Sequence, residues 1–151
     1  MVLGILQEIT PDEVEEIKDL VFNLYKQELY AQQLYLGQIR KLEGSIVSIL
    51  KELSVQEEIH AQTLKILLGK INFETKDTYD KVPQSKINEP LFNAVKIDID
   101  IEKNATKMYN EAINASTSIE MRTLLTQILN QEMQHINILK KYFDENKALF
   151  E

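Results

Sequence analysis

The sequence predicts an all-α fold, a four-helix bundle in which two antiparallel hairpins are joined by a long crossover. Three observations predict it. The chain has 151 residues, 44% of them hydrophobic, with only four Gly and three Pro, so long stretches are free of either helix breaker. Four of those stretches carry apolar residues at alternating spacings of three and four, the period of a helix that turns one face to a core. Between the second and third stretches lies a segment of about 20 residues with no such period. That is enough to run the length of a helix, whereas antiparallel neighbours need only about 2 to 8 linking residues. A single domain, residues 1–151, is expected at this length.

The first helix opens at Thr10-Pro11-Asp12-Glu13, which combines an N-cap, a first-turn proline and the glutamate of a capping box. Its stripe reads Ile17, Val21, Leu24, Glu28, Ala31, Tyr35. A break at Glu43-Gly44-Ser45 follows, and Ser45 opens the second helix, with the stripe Ile46, Leu50, Leu53, Glu57, His60, Leu64, Leu67. Residues 70–89 form the crossover, with room for a short helix. Asn88 or Glu89 with Pro90 opens the third helix, whose stripe is Leu91, Val95, Asp98, Glu102, Ala105, Tyr109. After Asn114-Ala115-Ser116-Thr117, the run Thr117-Ser118-Ile119-Glu120 repeats the capping-box arrangement. The fourth stripe is Met121, Leu125, Ile128, Glu132, His135, Leu139, Tyr142.

Each stripe is apolar except for groups that bind cations. The chain has two histidines, His60 and His135, and each follows a glutamate by three residues, Glu57 and Glu132. On a helix that spacing points both side chains the same way, so an oxygen and a nitrogen donor can reach one ion. Glu28 and Glu102 interrupt the other two stripes. An unpaired buried carboxylate is costly enough to shift its pKa or distort the packing, and a bound cation removes that cost. Four glutamates balance two divalent ions. Glu28 and Glu57 lie roughly 15 and 13 residues either side of the first break, so both reach about 20 Å from it, and the second hairpin matches. Leu50, Gln56, Glu57, His60, Leu64 and Lys65 recur 75 residues later, and the lone glutamates recur at an offset of 74, which implies approximate two-fold symmetry.

On these residues the chain resembles the ferritin-like di-iron-carboxylate proteins, nearest to the rubrerythrin group, over about residues 11–145. The class takes one Glu from each of two helices and Glu-x-x-His from each of the other two. Carried over, this implies that Glu28, Glu57, His60, Glu102, Glu132 and His135 are metal ligands and form the catalytic centre, with glutamates bridging the metals. Tyr35 and Tyr109 resemble the tyrosines that help to hold the ligand shell, although tyrosine at helical spacing is also ordinary core material. The resemblance implies two iron ions. Manganese, zinc or a mixed Fe/Mn pair would also suit these donors.

The implied activity is reduction of hydrogen peroxide in oxidative-stress defence. Two-metal sites hold their ions about 3.5 to 4 Å apart, a separation that an O–O unit can bridge. A ferroxidase that oxidises Fe(II) with dioxygen and a non-catalytic metal-binding helical bundle are the alternatives. The chain departs from the group in two ways. It has no cysteine, so the four-cysteine rubredoxin domain that delivers electrons is missing, and a separate donor such as a rubredoxin-like protein is expected. Ala105 stands where rubrerythrins place a further glutamate used in peroxide chemistry, and Asp98 lies on the same stripe in a different register.

Hairpin spacings shorter than those of ferritins and a short tail after residue 145 argue against a mineral-storing cage. Bacterioferritins bind haem through a Met where this chain has Glu58, so no haem is expected. Gln56, Gln131 and Asp98 are candidates for tuning the centre, but read more simply as flanking residues and as solvated polar trim. Glu58 and Glu111 read as surface charges.

A net charge of −7 without a basic cluster excludes nucleic-acid binding through phosphates. The opening residues are too short and lack the basic start of a signal sequence, and no apolar run approaches membrane-spanning length. No membrane association and a cytoplasmic location are therefore expected. Val2, Leu3, Ile5, Leu6, Leu149 and Phe150 are expected to pack on a second subunit, as a homodimer.

Overall fold

The computed structural model describes residues 2–75 and 80–150, and the side chains of residues 4–75 and 80–148. Four long helices carry it: α3 (Lys18–Ile39), α4 (Ser45–Gly69), α6 (Leu91–Ala115) and α7 (Ile119–Glu145). Shorter helices α1 (Val2–Glu8) and α2 (Pro11–Glu16) precede them, α5 (Gln84–Ile87) lies in the crossover, and a 3-10 turn, Lys147–Phe150, follows. There is no strand among the described residues.

Contacts along the chain give the topology. α3 packs on α4 and α6 on α7, forming two hairpins, while α3 also lies against α6 and α4 against α7. Tyr35 bonds Glu102 and Tyr109 bonds Glu28, so residue numbers rise on α3 as they fall on α6, and the two helices are antiparallel. His60 with Gln131 and His135 with Gln56 set the same direction for α4 and α7. Since α3 is antiparallel to both α4 and α6, α4 and α6 run parallel. A chain linking consecutive parallel helices must travel from one end of the bundle to the other, which accounts for the length of the crossover. This is an all-α ferritin-like bundle.

Local chemistry sets the helix ends. Thr10 caps α2 in a reciprocal box, its Oγ1 accepting from Glu13 N at 3.3 Å while its own N–H donates to the Glu13 carboxylate at 3.0 Å. The helix predicted to run on from there is broken once, at Ile17 (φ −126°, ψ 28°), next to two glutamates, Glu13 and Glu16, that contact the far hairpin. Glu16 accepts from the backbone N–H and hydroxyl of Thr117 at 2.7 and 2.6 Å, and Glu13 accepts from the Ser118 hydroxyl. These contacts also correct the expected start of α7. Thr117 is taken up by Glu16, and Ser118 is the N-cap, accepting from Met121 N at 3.1 Å, so Glu120 does not close a capping box. Gly44 turns the first hairpin at φ 90°, a conformation that side chains with a Cβ rarely adopt.

α4 ends where Asn72 takes a left-handed conformation (φ 54°) and Phe73 N–H reaches back to Leu68 O at 3.0 Å. Next to that end, the Lys70 ammonium donates to Leu6 O at 2.5 Å and Ile9 O at 2.6 Å, filling carbonyls at the end of α1. Leu6 and Ile9 are thereby buried in the chain's own core, with Ile5 packed against it. This corrects the expectation that Leu6 faces a second subunit, whereas Ile5 is only partly buried. The side chains of Val2, Leu3, Leu149 and Phe150 lie outside the described residues.

The apolar core falls into two clusters. One gathers Val21, Leu24, Leu64, Leu67, Ala112 and Leu125 with the α1 residues, and the other Leu34, Ile46, Leu50, Leu53, Val95 and Leu139. Tyr109 belongs to the first and Tyr35 to the second, and the charged residues of the stripes lie between them.

Replacing Lys70 by Met removes the donor from two carbonyls at a part-buried position. It is expected to lower stability by about 1–3 kcal/mol in urea unfolding and to speed amide exchange selectively in α1.

Candidate metal centre

All six residues predicted from the stripes converge mid-bundle: Glu28 from α3, Glu57 and His60 from α4, Glu102 from α6, Glu132 and His135 from α7. Each is at most 2% exposed. Their donor atoms form two groups, Glu28, Glu57, His60 and Glu132 in one, and Glu57, Glu102, Glu132 and His135 in the other. Within each group the atoms lie within 4.8 Å of one another. Glu57 and Glu132 belong to both.

The geometry around each imidazole is the same. His60 Nδ1 lies 2.7 Å from Glu132, 3.1 Å from Glu28 and 3.6 Å from Glu57. His135 Nδ1 lies 3.1 Å from Glu57, 3.4 Å from Glu102 and 3.6 Å from Glu132. One N–H cannot serve three carboxylates. Glu57 Oε1, Glu102 Oε2, both oxygens of Glu132 and His135 Nδ1 have no hydrogen-bond partner of normal geometry. Buried donors and acceptors are rarely left this way, and this donor set suits cations of the transition series.

The outer ring nitrogens are held by residues read above as flanking. His135 Nε2 donates to Gln56 Oε1 at 2.5 Å, and His60 Nε2 donates to Gln131 Oε1. With its proton fixed on Nε2, a neutral imidazole turns the Nδ1 lone pair to the centre. The pair Gln131-Glu132 therefore bonds the outer nitrogen of His60 from α7 and sets a carboxylate 2.7 Å from the inner one, while Gln56-Glu57 does the same for His135 from α4 with its carboxylate at 3.1 Å. The repetition of the two glutamines at the same offset as the histidines is the signal that identifies them in sequence. The tyrosines do more than pack: Tyr35 OH donates to Glu102 at 2.6 Å and Tyr109 OH to Glu28 at 3.2 Å.

Asp98 is the other correction. It is fully buried, 0% exposed, and is not solvated trim. Burial pushes its carboxyl well above the usual range, opposed by nearby Gln38. Ala105 is buried too, whereas Glu58 and Glu111 are exposed as expected.

The electrostatics describe a centre that holds protons when it holds no metal. Burial, then the Glu57 charge, raises Glu28 to about 8. Burial, then Glu132, raises Glu57 to about 7. Burial and a shared proton with Glu132 raise Glu102 to about 8. Burial also pushes Glu132 upward, but its contacts to Glu102, His135 and His60 win and its pKa is lowered. For both histidines burial opposes the charge and the carboxylates outweigh it, pushing His135 up to about 12 and His60 higher still.

Antiparallel helices that bury paired carboxylates and imidazoles at mid-length define the ferritin-like di-metal carboxylate class, and the two donor groups are compatible with a di-metal site. A family model described as rubrerythrin matches residues 20–143, and the chain belongs to the rubrerythrin family. No curated protein matches the chain. The family and the buried cluster together point to a di-iron protein.

The raised groups carry more protons in the folded than in the unfolded state, so each contributes stability that is lost as pH rises through its folded pKa. For Glu28 and Glu102 that window runs from the ordinary carboxylate value of 4.5 to about 8. The histidines extend it upward from 6.5. The melting temperature of metal-free protein is expected to fall from about pH 5 to about pH 8. A rise over that window would show that the six groups do not share protons in this way.

Proposed function

We propose that Glu28, Glu57, His60, Glu102, Glu132 and His135 hold two iron ions, and that the centre reduces hydrogen peroxide with electrons from a separate donor, in oxidative-stress defence. The observation that carries the metal assignment is the crowding of three carboxylates around each Nδ1. A divalent cation satisfies all of these atoms at once, which a single proton cannot do. When bound, the iron pair supplies two electrons to an O–O bond. Family membership supports the redox reading, because rubrerythrins are generally enzymatic di-iron proteins.

The chain's own groups divide the work. Glu28 and His60 would hold one ion and Glu102 and His135 the other, with Glu57 and Glu132, common to both donor groups, placed to reach both. Four carboxylates against two divalent charges leave the centre neutral, which suits its apolar surroundings. Tyr109 and Tyr35 orient Glu28 and Glu102, and Gln131 and Gln56 keep the Nδ1 atoms turned inward. Apolar clusters lie on both sides of the six residues. A ferroxidase using dioxygen is the second reading, favoured by the buried methyl of Ala105 where the family resemblance places a further carboxylate.

We read the chain as one domain acting in the cytoplasm, supported by the absence, among the described residues, of a helix long and apolar enough to cross a membrane. A homodimer is supported by the exposed apolar side chains Val55, Ile59 and Ile66 on α4 and Met133 on α7. The lack of cysteine in these residues supports an external electron donor.

Anaerobic titration with Fe(II) is expected to reach two irons per chain, with ferric absorbance growing faster after peroxide than after matched dioxygen. Faster reaction and turnover of added Fe(II) under dioxygen would instead establish the ferroxidase. Glu57→Ala or Glu132→Ala removes a bridging group and is expected to abolish loading; unchanged loading in both would sink the ligand assignment. Gln131→Leu is expected to weaken metal affinity by about 10–100-fold while leaving the fold intact by circular dichroism.

A further inference from the structure

The internal repeat extends to the outer surface of α3 and α6. A surface depression of about 240 Å³ beside α3 is lined by Asn23, Lys26, Gln27 and Tyr30. A second, of about 220 Å³ beside α6, is lined by the four residues that match these at the offset of 74, among them Ile101 and Asn104. Each depression lies just outside a residue of the centre, because Gln27 precedes Glu28 and Ile101 precedes Glu102. A bridge from helix to helix separates them. Gln27 Nε2 donates to Ile101 O at 3.2 Å, and Gln27 Oε1 accepts from Asn104 Nδ2 at 3.4 Å.

Residues that are related by a two-fold and also touch must flank its axis. Gln27 and Ile101 are such a pair on the surface, and His60 and His135 are one at the centre, with ring centroids 6.1 Å apart. The axis that relates the two donor groups therefore leaves the bundle between α3 and α6, at the Gln27 bridge. The two sides of the centre differ along this line. Towards α4 and α7 lie the imidazoles, with Gln56 and Gln131 bonded to their outer nitrogens. Towards α3 and α6, the stripe positions midway between the Tyr109–Glu28 and Tyr35–Glu102 bonds are Ala31 and Ala105, each at most 2% exposed. Their side chains are single methyl groups. The carboxamide of Gln27 spans the seam outside them.

We propose that Gln27 gates the entry of the oxidant, which reaches the centre between α3 and α6 along the two-fold axis. Gln27 is half-buried and Asn104 exposed, and neutral hydrogen bonds in such a setting exchange readily for bonds to water. The depression that Gln27 lines gives its side chain room to swing aside. Hydrogen peroxide both donates and accepts, so it can take over both bonds of the carboxamide as it passes. A bulkier hydroperoxide meets the same gate with more volume to pass. Gln27 is thus a specificity-determining residue for the size of the oxidant. The identity of the oxidant rests on the peroxide reading above, whereas the route does not.

The test compares hydrogen peroxide with tert-butyl hydroperoxide on the full chain loaded with Fe(II), following ferric absorbance. Gln27→Ala opens the seam, and is expected to raise the rate with tert-butyl hydroperoxide about tenfold relative to that with hydrogen peroxide. Asn104→Ala, which removes the partner from the other helix, should shift the ratio in the same direction. An unchanged ratio in both variants would overturn the gate. A second readout needs no redox reaction: azide binding to cobalt-loaded protein, followed by visible absorbance, is expected to be slowed about tenfold by Gln27→Trp, with two metals per chain retained. An unchanged azide rate would overturn the route. If the unaltered protein binds azide at the gated rate yet does not react with peroxide, the peroxide reading falls and the route stands.

Discussion

Everything in this structure depends on placing four carboxylates and two imidazoles in an interior that is otherwise hydrocarbon. A carboxylate removed from water without a partner is among the least favourable elements a fold can contain. Here Glu28, Glu57, Glu102 and Glu132 are all at most 1% exposed. The protein meets this constraint with like charges brought close together, which makes sense only if something positive lies among them. Protons do so in part, as the raised Glu28 and Glu102 and the strongly raised histidines indicate. Two divalent cations would do so fully, and Glu57 Oε1, Glu102 Oε2, both Glu132 oxygens and His135 Nδ1 are among the buried atoms left unbonded.

The same constraint explains the supporting groups. A ligand that can turn away does not define a coordination site, so each outer face of the cluster is tied down. Tyrosine hydroxyls hold the carboxylates of α3 and α6, and glutamine carbonyls hold the imidazoles of α4 and α7. These ties cross between helices, so the geometry of the centre is also the geometry of packing. The apolar clusters above and below then act as walls for a polar interior layer.

Most of this was legible in the sequence, for physical reasons. Helical period shows which face is buried, so a glutamate at the position of Glu28 or Glu102 stands out against its stripe. The spacing of Glu57 with His60 and Glu132 with His135 then gives the donor set, and the crossover is visible as length without period. What could not be read depends on partners remote in the chain. Whether Thr117 or Ser118 caps α7 is decided by Glu16 and Glu13, about 100 residues away. Leu6 is buried beside a backbone carbonyl that Lys70 reaches from 64 residues away, and the break at Ile17 follows the α2 residues that contact the far hairpin. Asp98 was misread because a lone aspartate on a stripe looks like trim. Gln38 continues the spacing of Glu28, Ala31 and Tyr35, so the stripe taken one turn further would have reached it.

The reciprocal grip on the histidines has an architectural consequence. Each hairpin carries one Glu, one Tyr, one Gln and one Glu-x-x-His, yet the glutamine that holds the outer nitrogen of its histidine, and the carboxylate nearest the inner one, come from the opposite hairpin. A single hairpin is thus an incomplete socket whose missing half is another hairpin of the same design. Two separate copies of a half-length chain, meeting about a two-fold axis, would supply each other with everything the centre needs. The crossover is then a tether joining two modules that already fit, and severing it at the covalent level would leave the logic of the centre intact.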